Sequence, residues 1–213
     1  MSTSLLYHAW GIQGYHYVRT GYDEGEITFT VEQNPNTIEC SHCKSRRTMQ
    51  QGHATRRFKT IPLGGKPVTI KLPIPRLWCA DCGKTRQAKV AFADERRSYT
   101  RPFERYALEL CRQMTIQDVA NHPGVGWDLV KDIQKRYLRR HFARPRLKDL
   151  SLIAIDEITI GKGHHYLTVV LDLKSGAVVF IGEGKGADSL KPFWKRLRCA
   201  TRGRPKIKAV ATD

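Results

Sequence analysis

No stretch of the 213 residues approaches 18 consecutive apolar positions, so nothing in the sequence reads as a membrane-spanning helix. The start, Met1 to Tyr22, lacks the basic n-region and apolar h-region of an export signal. Without export there is no oxidising compartment, which argues against a disulfide framework for the six cysteines. A nucleotide-binding loop is missing too: the glycine-rich run Gly182 to Gly186 has neither the spacing nor the Lys-Ser/Thr pair such a loop needs, and reads as a strand-to-helix turn. Acidic residues are scarce, 20 against 37 Lys and Arg, leaving a net charge of +17. A surplus of that size favours a polyanion such as nucleic acid over a small neutral substrate. What is present is 40% hydrophobic, enough for one to three compact units and against intrinsic disorder.

The charge is uneven. Residues 1–39 hold one basic and five acidic residues, whereas residues 40–105 hold 16 basic and four acidic. The basic block coincides with a cysteine cluster, and clustered Lys and Arg are rewarded by counterion release when they meet phosphates.

Four of the cysteines form two C-x-x-C knuckles, Cys40-Ser-His-Cys43 and Cys79-Ala-Asp-Cys82. Zn²⁺ takes four soft ligands in a tetrahedron, and a two-residue gap lets both sulfurs of a pair reach one ion. The loop between the knuckles is long for a finger, but Thr60 to Leu72 reads as a β-hairpin turning at Gly64-Gly65, which brings the pairs together. A closed Cys₄ site has no open position, so its zinc is expected to be structural. His42 and His53 are the alternative ligands, though four thiolates already fill the shell. Trp10, Tyr15 and Tyr17 are expected to pack the acidic N-terminal segment onto this ribbon.

From Arg101 to His141 the pattern is helical. Pro102 suits a first turn, and Phe103, Tyr106, Ala107, Leu110 and Cys111 are spaced to line one face. A short helix from Ile116 to Asn121 breaks at His122-Pro123-Gly124, and a longer one runs from Trp127 to about His141. In this helix-turn-helix, Val119, Ala120, Val130 and Ile133 fall at core positions and Gly124 at the turn. The second helix of such a motif enters the major groove. Trp127, Asp128 and Lys131 are then the base-reading candidates, and Lys135, Arg136, Arg139 and Arg140 the phosphate-facing ones.

After a linker, Ala143 to Asp149, strands return: Leu152 to Asp156, Tyr166 to Leu173 and Ala177 to Ile181, then a helix from Asp188 to Leu197 and a strand from Ile207 to Asp213. If the first and last strands are parallel neighbours, Asp156 and Asp213 stand together at their carboxyl ends, the edge where open α/β sheets place ligands. Paired carboxylates there can bridge hard divalent ions such as Mg²⁺ or Mn²⁺ for phosphodiester chemistry. His164-His165 reads as an ordinary strand start.

The ordered set Leu5-Leu-Tyr-His-Ala-Trp-Gly, Tyr17-Val-Arg, the two knuckles, Gly124-Val-Gly-Trp-Asp, Ile155-Asp-Glu, Lys162-Gly-His-His-Tyr, Gly182-Glu-Gly, Leu190-Lys-Pro-Phe and Ala209-Val-Ala-Thr-Asp213 resembles bacterial insertion-sequence transposases. Members of that family join an N-terminal zinc ribbon, a helix-turn-helix and an RNase H-like DDE catalytic domain. The resemblance implies that Asp156 and Asp213 are the first two acids of the catalytic triad and that Cys40, Cys43, Cys79 and Cys82 hold zinc. It also implies binding to terminal inverted repeats and target DNA, metal-dependent cleavage and strand transfer, and assemblies that pair two ends. The family's third acid, a helical Glu well beyond the second Asp, has no counterpart before Asp213. Glu157 points to the opposite strand face, and Glu183 is expected to miss the carboxyl edge because its strand belongs to an antiparallel run. The chain alone is therefore expected to cleave DNA poorly, as a truncated transposase; the alternative is a non-enzymatic zinc-dependent DNA-binding protein or regulator.

The expected architecture is multidomain, α+β and α/β. Residues 1–39 pack on a small β zinc ribbon at 40–98, a helix-turn-helix occupies 99–142, a linker 143–150, and the first half of an RNase H-like mixed sheet, β-β-β-α-β, fills 151–213. The expected location is the bacterial cytoplasm, at the nucleoid.

Overall fold

A computed structural model of the chain describes residues 4–161 and 163–212. It divides into two units, Met1–Tyr137 and Leu138–Asp213.

In the first unit, helix α1 (Leu5–Trp10) turns Leu6 and Trp10 inward and ends at Gly11, whose φ of 62° lets its N–H return to the helix carbonyls. Strands β1 (Tyr15–Asp23) and β2 (Glu26–Gln33) form an antiparallel pair, and β2 buries Ile27, Phe29 and Val31 at period two. The ribbon hairpin is longer than the sequence suggests: β3 (Thr48–Leu63) and β4 (Lys66–Cys79) run antiparallel from Leu63↔Lys66 to Thr48↔Cys79. Gly64 and Gly65, at φ 58° and 77°, supply the two positive-φ positions of a tight hairpin turn. β2 adds in parallel to β4, and a short β5 (Thr85–Gln87) pairs with the end of β4. Pro73 and Pro75 lie beyond the last β2 partner of β4, Lys71, so their missing N–H groups break no ladder on that side.

Val68, Ile70, Leu72 and Ile74 of β4 alternate into one core with Trp10, Phe29, Val31, Phe58 and Phe92. The N-terminal segment adds its strands to the sheet of the ribbon hairpin. Trp10 donates its indole N–H to the Ile61 carbonyl at 3.0 Å, and the Tyr15 hydroxyl accepts from the Ala91 amide at 2.9 Å. Tyr17, two residues along β1 from Tyr15, sets its ring edge-on to Phe29 at 6.4 Å while staying 55% exposed.

Three helices follow. α2 (Arg101–Leu110) is capped by the Thr100 hydroxyl, α3 (Ile116–Asn121) by that of Thr115, and α4 spans Trp127–Phe142. Phe103, Ala107, Val119, Ala120, Val130 and Ile133 form their core, with Cys111 half-buried at its margin and its thiol pushed up by burial. Gly124 at the turn has φ 63°, and a Cβ there would stand 3.4 Å from Pro67 of β4.

The second unit is the β-β-β-α-β run: β6 (Leu152–Thr159), β7 (Tyr166–Asp172), β8 (Ala177–Glu183), α5 (Ala187–Ala200) and β9 (Ala209–Thr212), with strand order β8-β7-β6-β9. Phe193 and Leu197 of α5 cover Ile153, Val170 and Phe180. Leu147 and Leu150 join this core, so the end of the linker is part of the second unit. Gly182 is required where β8 meets α5, since a Cβ would fall 2.6 Å from the Ser189 carbonyl oxygen.

Candidate functional sites

The four knuckle cysteines converge. Cys40 and Cys82 sulfurs are 3.7 Å apart, Cys43 and Cys79 sulfurs 3.5 Å, and all four lie within 4.8 Å of one another. A tetrahedron with Zn–S bonds of about 2.3 Å has S···S edges of about 3.8 Å, so the donor set and its size fit a structural zinc ion. The knuckles are near copies. In each, the first cysteine's carbonyl accepts from the residue after the second cysteine, Lys44 or Gly83, and that residue has φ 65°. The next residue's carbonyl, Ser45 or Lys84, accepts the first cysteine's amide.

Backbone amides of Cys43 and His42 pull the Cys40 thiol down to about 6, and those of Cys82 and Asp81 lower that of Cys79. Such N–H···S bonds favour the thiolates a metal needs. Asp81 ties the knuckles together, accepting from the Ser45 hydroxyl at 2.5 Å and Arg47 at 3.0 Å. His42 instead meets Lys84 Nζ at 3.3 Å, and His53 is exposed along β3. The sequence offered a hint of Asp81's role only in its position between two ligands.

On α4, Trp127, Lys131, Lys135 and Arg139 recur every four residues and share one face. All are exposed, as are Asp128 and Arg140. Lys131 Nζ stands 4.4 Å over the Trp127 ring, a cation–π contact that holds both side chains at the start of the helix. Arg136 departs from the phosphate-facing set. Its guanidinium is paired with Glu104 of α2 and, at 3.2 Å, with Asp94, beside the Tyr99 ring. Burial works against its charge, but Glu104 and Asp94 override that and raise its pKa. Basic residues four apart look alike in sequence; only the packing of α2 against α4 distinguishes this one.

In the second unit β6 and β9 are parallel neighbours, in register from Leu152↔Ala209 to Ile155↔Thr212. Asp156 is exposed, and its Oδ1 accepts from the Glu157 amide at 2.7 Å. Asp213 and Lys162 lie outside the described residues. Glu157 faces the α5 side, where its carboxylate accepts from the Gly186 amide at 2.7 Å. That bond anchors the turn before the helix, a role the sequence did not announce. The expectation for Glu183 is corrected: β6 and β8 are both antiparallel to β7 and so run the same way. Glu183 therefore does reach the carboxyl edge, two strands from β6. His164 stacks on Tyr166, and Lys185 Nζ lies 4.7 Å over the same ring.

Three family descriptions match successive parts of the chain: the zinc-finger of transposase IS204/IS1001/IS1096/IS1165 at residues 36–82, the helix-turn-helix domain of transposase family ISL3 at 88–138, and the ISL3 DDE transposase domain at 153–213. The transposase for insertion sequence element IS1001 of Bordetella parapertussis is 28% identical over 216 residues, covering 100% of this chain and 53% of the relative. The transposase for insertion sequence element IS1557 of Mycobacterium tuberculosis is 28% identical over 160 residues, 74% of this chain and 36% of the relative. The chain thus spans about half the length, or less, of these relatives. No solved structure matches it. Among the described residues no helix is long and apolar enough to cross a membrane.

Proposed function

Because the chain belongs to the insertion-sequence transposases of the ISL3 type, we propose that its first unit binds the terminal inverted repeats of a mobile element and its second begins the catalytic domain that cleaves and joins DNA. The observation that carries this reading is the parallel β6–β9 pair, in register up to Ile155↔Thr212, which are followed in the sequence by Asp156 and Asp213. These two aspartates would hold Mg²⁺ or Mn²⁺. Divalent ions in such a site activate a water or a 3′-hydroxyl and stabilise the leaving oxygen.

Cys40, Cys43, Cys79 and Cys82 hold the structural zinc that closes the base of the ribbon hairpin. The exposed first turn of α4, with Trp127 and Lys131, reads base edges, while Lys135, Arg139 and Arg140 meet phosphates. Arg136 is left out of that set, since it is committed to Glu104 and Asp94. Synapsis of two ends requires a pair of chains or more, and a DNA-bound life places the protein at the nucleoid.

The test is footprinting of the 213-residue chain on duplexes carrying the element's ends. Protection confined to the inverted repeats, and lost on scrambled repeats, is the expected result. Equal affinity for both duplexes would reject end recognition.

A further inference from the structure

Two clefts open on the first unit beside the exposed face of α4, and one residue borders both. The first, of about 740 Å³, lies between the ribbon and the segment leading to α2; its basic residues are Arg56, Arg86, Lys89, Arg96 and Arg101. The second, of about 530 Å³, lies between that segment and the start of α4, and carries Arg96, Arg97, Lys131 and Lys135. The acidic side chains in them are Asp94 and Glu95 in the first and Asp128 and Asp132 in the second. Two of these four are neutralised internally: Asp94 by Arg101 and Arg136, and Asp132 by Arg97 at 2.8 Å. The balance along both clefts is positive.

The segment between them is a strap held at both sides. Lys59 of β3 donates to the Ser98 carbonyl at 2.8 Å and accepts from the Thr100 amide at 2.9 Å. Arg56 donates to the Arg97 carbonyl, and Arg97 reaches Asp132 on α4. Arg96 is the exposed apex of this strap and has φ 60°, a backbone conformation that L side chains rarely adopt and that glycine would adopt without strain. Among the described residues its guanidinium has no ion-pair or hydrogen-bond partner. That φ belongs to the turn Asp94–Arg97, closed by the Arg97 amide on the Asp94 carbonyl at 3.2 Å, and it sets an unpaired cation on a clamped strap at the border of two basic clefts.

We infer that Arg96 is a phosphate contact bridging the two clefts, so that one DNA strand is followed without a break from the first turn of α4 across the strap and onto the ribbon. The ligand is the sugar-phosphate backbone, which carries no sequence information. The inference rests on the reading that this unit binds DNA, and it adds that ribbon and helix-turn-helix engage the duplex as one surface.

The experiment measures binding of the 213-residue chain to a labelled mixed-sequence duplex over a range of salt concentrations, with Arg96→Gly, Arg96→Lys and Lys135→Ala. Glycine suits the φ at this position, so Arg96→Gly removes the charge without endangering the fold. The expected result is a weaker Arg96→Gly complex whose slope of log K against log salt is smaller by about 0.9, the value of one lost phosphate contact, and near-native binding by Arg96→Lys. If Lys135→Ala weakens binding while Arg96→Gly leaves affinity and slope unchanged, the bridging contact is overturned and the DNA reading stands. If the wild-type chain shows no salt-dependent binding, both fall.

Discussion

Ile155 on β6 stands directly opposite Thr212 on β9 across a parallel pair, and the residue after each is an aspartate. Among the described residues Asp156 is exposed and its hydrogen-bond partner is the adjacent Glu157 amide. Removing its charge therefore has little to cost the fold. In a protein of the relatives' full length, Asp156→Asn is expected to lower metal-dependent nicking of end DNA about a hundredfold or more with an unchanged melting temperature. Nicking at the native rate would reject the catalytic assignment.

The sequence was most informative where one physical constraint dominates. Two C-x-x-C pairs have few uses outside metal binding, Gly64-Gly65 demands a hairpin turn, and the apolar positions from Phe103 to Ile133 follow helical spacing closely enough to name the core. It was least informative where the partner is distant in the chain. Nothing local indicates that β2 joins β4 in parallel, since Ile27 and Val68 are separated by the first knuckle and the whole of β3. Arg136 and Arg139 are indistinguishable as letters. The direction of Glu183's strand is not legible locally either: an antiparallel run suggests opposition to β6, whereas β6 and β8, both antiparallel to β7, share a direction.

Zinc removal should act locally. The tetrad closes one end of the hairpin, while the sheet core around Phe58, Ile70 and Trp10 is independent of it. Replacing Cys79 and Cys82 with Ser is expected to abolish the one-per-chain zinc content, and hydrogen exchange should accelerate at the knuckles while Phe58 and Ile70 stay protected. End-DNA affinity should fall with the metal. Native zinc content in the double variant would end the ribbon assignment.

Arg136→Ala should damage stability more than any neighbouring basic substitution on α4. It leaves Glu104, whose side chain is 13% exposed, and Asp94 without their shared cation. Removing one member of a largely buried pair costs on the order of 2 kcal/mol at this partial exposure. Arg139→Ala should melt like the wild type. Denaturant titrations of the two variants decide the matter, and equal midpoints would mean that Arg136 is no strut.

Gly124→Ala combines two penalties. The left-handed φ of 63° disfavours any Cβ by roughly 1 kcal/mol, and the added methyl must sit 3.4 Å from Pro67 Cγ. A loss of about 1 to 2 kcal/mol is expected, with Gly124→Asn milder because asparagine tolerates the left-handed region. A thermal melt indistinguishable from the wild type would show that the turn can take another path.

Lys131 offers the sharpest separation of base reading from charge. Its ammonium rests 4.4 Å over the Trp127 ring at the exposed first turn of α4, a position from which a helix N-terminus reaches base edges. Lys135 and Arg139 lie one and two turns farther along the same face. Selection from randomised duplexes should therefore give different outcomes for these positions. Lys131→Ala is expected to relax preference at one position of the site by about 1 to 3 kcal/mol. Lys135→Ala and Arg139→Ala should weaken every sequence alike, each reducing the salt slope by about 0.9. A uniform loss for Lys131→Ala as well would make it a phosphate contact, and the search for the base reader would then move to Asp128 and Trp127.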